Sequence, residues 1–223
     1  MNSGMQDYVI LTGMILKAIP VGEYDRHVCI LTRERGKVTA YVRGARRPSS
    51  KLLGQTAPFS FGRFKLFIGK DSYSLAEAEI SQYFEEMRSD MEAALYGSYF
   101  LELADYYTVE NGDETMMLGL LYQSLRALTK ASLPNPLVRY VFEMKAMVIN
   151  GEFPGIPRRE LPFSEALEYT VSYIANSPLE KLYTFSLKDS VLSELKSIMD
   201  EYRRIYVDRQ LKSLDILEQI CTI

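Results

Sequence analysis

Residues 33–51 read RERGKVTAYVRGARRPSSK, a turn, a strand and a loop that carry seven basic residues and one acid. Gly36 supplies the positive φ that lets Arg33-Glu34-Arg35-Gly36 fold back as a short turn. From Lys37 onward the chain alternates, because successive strand side chains face opposite sides. Val38, Ala40 and Val42 point one way, and Lys37, Thr39, Tyr41 and Arg43 the other. One face is core; the other is cationic with a tyrosine in it. After Gly44 the loop adds Arg46, Arg47 and Lys51 with Ser49 and Ser50, the mixture of charge and hydroxyl that phosphate oxygens recruit. A solvated hairpin kept soluble by its charges would have no need to hold them on one side. The stretch predicts a polyanionic partner.

Outward from this hairpin, strands lie on either side. Tyr8 to Ile19 is rich in β-branched and aliphatic residues, with Gly13 placed for a bend or bulge. Pro20 to Arg26 reads as a loop, and His27 to Thr32 as the strand entering the hairpin. Phe59 to Ile68 is a fourth strand, closed by the turn Gly69-Lys70-Asp71, and Tyr73 to Ile80 is a fifth. On the fourth, Phe59, Phe61, Arg63, Lys65 and Phe67 share one face and Phe64, Leu66 and Ile68 the other. Aromatics interleaved with cations suit bases that stack and phosphates that pair, although the rings could equally be core. Five short strands in about eighty residues predict a small closed barrel of the OB type.

Past Gln82 the hydrophobic period changes from two to three and four, the signature of amphipathic helices. Helices are expected over Ser89–Val109, Glu114–Ala131, Leu137–Ile149, Ser164–Asn176, Lys188–Tyr206 and Arg209–Ile220. Asn111-Gly112-Asp113 breaks the first from the second; Asn135 is placed to cap the third, with Pro136 at its first position. That third helix is apolar on nearly all sides and belongs at the centre of a bundle. The expected architecture is α+β in two domains. Residues 1–81 form a five-stranded OB-type β-barrel and residues 82–223 an α-helical domain.

The total charge of −3 hides a division. Residues 1–81 hold 12 Lys/Arg against 7 Asp/Glu, and residues 82–223 hold 14 against 22, so the segments are +5 and −8. One part is built to meet a polyanion. Two distant cysteines, Cys29 and Cys221, with no secretory signal or spanning-length apolar run, predict a reduced cytoplasmic protein.

Catalytic signatures are missing. A metal site needs clustered His and Cys, and only His27 and Cys29 lie near each other, so no metal or other cofactor is expected. Glu77 with Glu79, and Glu85 with Glu86, could hold a divalent ion in a nuclease, but no third acid joins them at a telling spacing. Gly-rich phosphate loops and nucleophile elbows are absent, and no catalytic residue is assigned.

Four strings carry a family likeness: MILKAIPVGEYDR after a glycine, ILTRERGKV, VRGARRPSSK, and LKSLDIL near the end. In these the chain resembles the bacterial RecO recombination-repair family, well over the barrel and more loosely over the last helix. The resemblance implies an N-terminal OB domain and a C-terminal helical domain. It also implies binding to single- and double-stranded DNA, annealing of complementary strands, and contact with the C-terminal tail of single-strand-binding protein. With RecR, the protein would help load RecA, in the cytoplasm and associated with the nucleoid. Carried onto this sequence, the DNA face is Arg33, Arg35, Lys37, Arg43, Arg46, Arg47 and Lys51, with Tyr41 as a stacker and Arg26 as a weaker addition. Many members insert a four-cysteine zinc module after the central helix, where this chain has the short cysteine-free NGEFPGIPRRELP. An RNA-binding or translation accessory protein is the alternative, since basic barrels serve RNA equally well.

Overall fold

The computed structural model describes residues 7–70, 72–160 and 162–221. Asp71 of the expected β-turn, and Leu161 of the proline-rich loop, lie outside the described residues. Contacts divide the chain into two compact units, Met1–Glu85 with Thr108–Leu118, and Glu86–Tyr107 with Gly119–Ile223.

The first unit is a closed barrel of β1 (Tyr8–Val21), β2 (Asp25–Thr32), β3 (Gly36–Val42), β4 (Phe61–Ile68) and β5 (Tyr73–Gln82), in the order β1-β2-β3-β5-β4. Every pairing is antiparallel except β3 with β5, where Ala40 meets Tyr73 and Tyr41 meets Ser74. Alternation decides what lies inside. Ile15, Val28, Ile30, Val38, Ala40 and Phe64 belong to one apolar core, while Arg43 and Arg63 face out. Gly13 of β1 pairs with Gly62 of β4 where neighbouring backbone comes closest. A Cβ would run into the Leu31 carbonyl at the first and the Glu79 carbonyl at the second. The bulge itself falls between Ile15 and Lys17, not at Gly13.

Several expectations need correction. Pro20 and Val21 continue β1, paired with Arg26 and Asp25, so the connection shrinks to Gly22-Glu23-Tyr24; a proline's missing N–H is tolerated at a strand end. Phe59 does not share the β4 face: its φ of 72° turns the chain before the strand begins. A short helix, α1 (Leu52–Gln55), closes the basic loop and had no periodic signal in four residues. Residues 109–111 also return to the barrel. Lys37 N–H donates to the Val109 carbonyl (3.0 Å) and Asn111 N–H to that of Arg35 (3.1 Å), around a bridge between Gly36 and Glu110.

The second unit is helical: α2 (Glu86–Ser89), α3 (Met91–Tyr107), the greater part of α4 (Thr115–Leu128), α5 (Asn135–Ile149), α6 (Glu165–Asn176), α7 (Asp189–Tyr206) and α8 (Lys212–Ile220). Every residue of α5 from Leu137 to Met147 is buried, as its all-round apolar pattern requires. Phe142 stacks on Phe100 of α3 with centroids 4.3 Å apart. Its cap is Pro134; Asn135 is already helical and donates to Glu92 Oε1 (3.0 Å).

Three charged residues lie buried on this helix with hydrogen-bond partners, Glu143 through Oε1 alone, its Oε2 having none among the described residues. Arg139 Nε donates to Glu143 Oε1 (2.8 Å), which also accepts from the Tyr99 hydroxyl (2.6 Å). Lys145 Nζ donates to the carbonyls of Ile174 (3.1 Å), Ala175 (2.8 Å) and Ser177 (2.9 Å), closing the C-terminus of α6 with a cation.

Candidate nucleic-acid interface

The expected cations separate into two groups at the ends of β3. Arg33, Arg35 and Lys37 sit at the hairpin end, and Arg43, Arg46, Arg47 and Lys51 at the other. Six residue steps of about 3.3 Å put roughly 20 Å between Lys37 and Arg43.

At the hairpin end Arg33 is exposed, whereas Arg35 is half-buried and donates from Nη1 to the Tyr73 hydroxyl at 2.7 Å. At the far end the three-residue β1–β2 turn acts as an anchor. Asp25 accepts from the Gly44 N–H through Oδ1 (2.6 Å) and from the Tyr41 hydroxyl through Oδ2. These two bonds, the backbone one first, hold the Asp25 carboxyl below its usual range, and the partnership raises the Tyr41 hydroxyl. Arg46 N–H donates to the Tyr24 carbonyl (2.8 Å) and its Nη1 to that of Gly22 (3.2 Å), while Arg47 lies 5.4 Å from the Tyr24 ring centroid. The loop is therefore held by Arg46, and Arg43, Arg47 and Lys51 are left exposed.

Between the two groups an open groove of about 680 Å³ follows the outer face of β3. Thr39 and Tyr41 form its floor, His27 of β2 one wall, and Lys70, Ser72 and Ser74 the other. The His27 and Tyr41 rings meet edge to face with centroids 5.3 Å apart. None of the four far-end cations lines this groove. Sequence reading placed Lys37, Thr39 and Tyr41 on this face but missed His27, Lys70 and the two serines, since His27 comes alongside Tyr41 only through the β2–β3 register and residues 72–74 only through the parallel pairing of β3 with β5. The OB topology of the sequence was the one available signal, because the face of strands 2 and 3 beside the β4–β5 loop is where such barrels bind oligonucleotides.

Other expected cations are occupied. Arg63 pairs with Glu79 at 2.5 Å and Lys65 with Glu77 at 3.2 Å across β4 and β5. Arg26 donates to the Leu53 carbonyl (2.9 Å) and Thr56 Oγ1 (3.1 Å), fastening α1. Arg139 and Lys145 of α5 are 1% and 5% exposed, so neither offers its charge to a nucleic acid.

The helical unit carries a smaller hollow of about 290 Å³, rimmed by Lys196, Arg203 and Arg204 with Asp200 and Glu218. The buried Tyr140 hydroxyl and Arg203 Nε have no partner there among the described residues. An adjoining hollow shares Arg203 and Arg204 and adds Val207, Leu211 and Leu214.

A four-thiolate zinc module does not fit this chain, which has two cysteines, Cys29 on β2 and Cys221 after α8. No cluster of three or more His, Cys, Asp or Glu among the described residues could hold a metal ion. The segment in the module's place is tied to α7 instead. The Tyr202 hydroxyl donates to the Gly155 carbonyl (2.8 Å), Phe153 packs edge-on against the Tyr202 ring, and Arg159 pairs with Glu201 (2.7 Å).

The strand order and the helical continuation define an OB-barrel protein with an appended helical unit. Comparison with known proteins narrows the class. Residues 5–84 match the family model described as recombination protein O N terminal, and residues 88–156 that described as recombination protein O C terminal. The DNA repair protein RecO of Acetivibrio thermocellus is 26% identical over 246 residues, covering 96% of this chain and 98% of that protein. That of Halalkalibacterium halodurans is 28% identical over 238 residues, covering 93% of each. The chain belongs to the RecO family of DNA repair proteins. No helix of the described residues is long and apolar enough to cross a membrane.

Proposed function

We propose that this protein is a non-enzymatic, DNA-binding and strand-annealing mediator of recombinational repair, with DNA held on the outer face of the barrel. The observation that carries the reading is the distribution of Arg33, Arg35, Lys37, Arg43, Arg46, Arg47 and Lys51 around the open β3 groove that contains Tyr41. Annealing two like-charged strands requires that their repulsion be screened and their bases left accessible, and a cationic barrel does this without bond chemistry. RecR and RecA are the partners downstream. The acidic tail of single-strand-binding protein would dock on the helical unit, where Lys196, Arg203 and Arg204 supply charge and Val207 apolar surface.

Competition tests the nucleic-acid assignment against the RNA-binding alternative. A labelled single-stranded DNA bound to the full chain should be displaced no more readily by RNA of the same sequence than by unlabelled DNA. Marked preference for RNA would favour a translation role. Annealing is read separately, as the rate at which complementary strands pair when one is coated with single-strand-binding protein, and an unchanged rate on adding this protein would contradict the mediator role.

A further inference from the structure

The groove and the basic loop offer different chemistry. Rings and hydroxyls line the groove: His27, Tyr41, Thr39, Ser72 and Ser74, with Lys37 and Lys70 opposed by Glu110. The loop is nearly pure charge, with Arg43, Arg47 and Lys51 exposed and Tyr24 its aromatic neighbour. Ring stacking is open only to bases that are not already stacked and paired, whereas phosphates are equally available on single strands and duplex. Tyr41 of the groove lies two residues from Arg43 of the loop, roughly 7 Å along the strand, so the two regions adjoin and differ in chemistry rather than in distance. Asp25 spans the boundary, one carboxylate oxygen on the Tyr41 hydroxyl of the groove and the other on the Gly44 N–H that begins the loop.

Building on the DNA-binding reading, we propose that the barrel carries two nucleic-acid sites side by side. The groove takes a single strand with its bases turned in, and the Arg43–Lys51 loop takes the phosphates of a second strand or a duplex. Asp25 is a positioning residue that fixes the spacing between them. Two strands held this way start within reach of one another, as a protein that brings strands together requires.

The test uses the full chain, a donor-labelled single-stranded thymine oligonucleotide and an acceptor-labelled duplex of unrelated sequence. With the single strand saturating, added duplex should bind and give energy transfer. His27→Ala, at an exposed position, should weaken single-strand binding at least about fivefold and leave duplex binding within about twofold. Arg43→Gln with Arg47→Gln should do the reverse for duplex in the presence of bound single strand. Asp25→Ala should lower the transfer efficiency at saturation while each ligand still binds alone, a change that loss of fold would not produce. If duplex displaces the single strand mole for mole, or if the His27 and Arg43/Arg47 variants weaken both ligands alike, there is one site and the division is overturned. If the unmodified chain binds neither ligand, the DNA-binding reading itself fails, and the two-site division with it.

Discussion

Asp25 has a short side chain between two donors, and that geometry has a titration consequence. The Gly44 N–H and the Tyr41 hydroxyl both favour the ionised carboxylate, so its folded-state pKa lies below the unfolded value. A depressed carboxyl contributes stability that is present above the unfolded pKa and is lost as pH falls through the folded one. The loop anchor should therefore persist through pH 4 and loosen only in stronger acid, with the Asp25 carboxyl carbon titrating by NMR below about 3.9. A titration at or above that value would mean the two bonds do not form in solution. Gly13 is constrained differently: the Leu31 carbonyl occupies the space a side chain would need. Gly13→Ala should lower stability by about 1–3 kcal/mol or more through backbone displacement, measured as a drop in denaturant midpoint. A midpoint within error of the parent would show that the β1–β2 backbones have room to separate.

Elements whose faces are set by their own residues were legible in the sequence; those set by distant partners were not. Val38-Ala40-Val42 against Lys37-Thr39-Tyr41 fixed the two sides of β3, and the unbroken apolar run of α5 fixed its central place. The pairing of residues 109–111 with the hairpin, the approach of Ser72 and Ser74 to Tyr41, and the neutralisation of Arg63 and Lys65 by Glu79 and Glu77 all depend on register between separated segments. No local period encodes them. The buried charges of α5 are a related case, since nothing local to Lys145 indicates the carbonyls of Ile174, Ala175 and Ser177 that it closes at the end of α6. At this scale, Phe142→Ala should cost about 3–5 kcal/mol, because the ring is fully buried and stacked on Phe100. Lys145→Ala should cost about 1–3 kcal/mol by leaving carbonyls at the end of α6 unsatisfied. Chemical denaturation of both variants checks these values, and an unchanged midpoint for Phe142→Ala would place α5 outside the core.

For the molecule as a whole, the central claim is that exposed cations of the barrel meet the sugar-phosphate backbone. Such binding releases counterions, so affinity must fall steeply with salt, and each lost phosphate contact must flatten the dependence. Arg46 is a poor probe because it also holds the loop to Gly22 and Tyr24, and its removal would mix anchoring with charge. Arg43 and Arg47 are exposed, and replacing them changes charge with less disturbance of the loop. The decisive measurement is the slope of log K against log salt for duplex DNA, compared between the parent chain and Arg43→Gln/Arg47→Gln. The account predicts a steep negative slope for the parent and one flatter by up to about 1.8 for the variant, with affinity lost alike on all duplex sequences. Equal slopes and equal affinities would contradict it and would put DNA somewhere other than this face of the barrel.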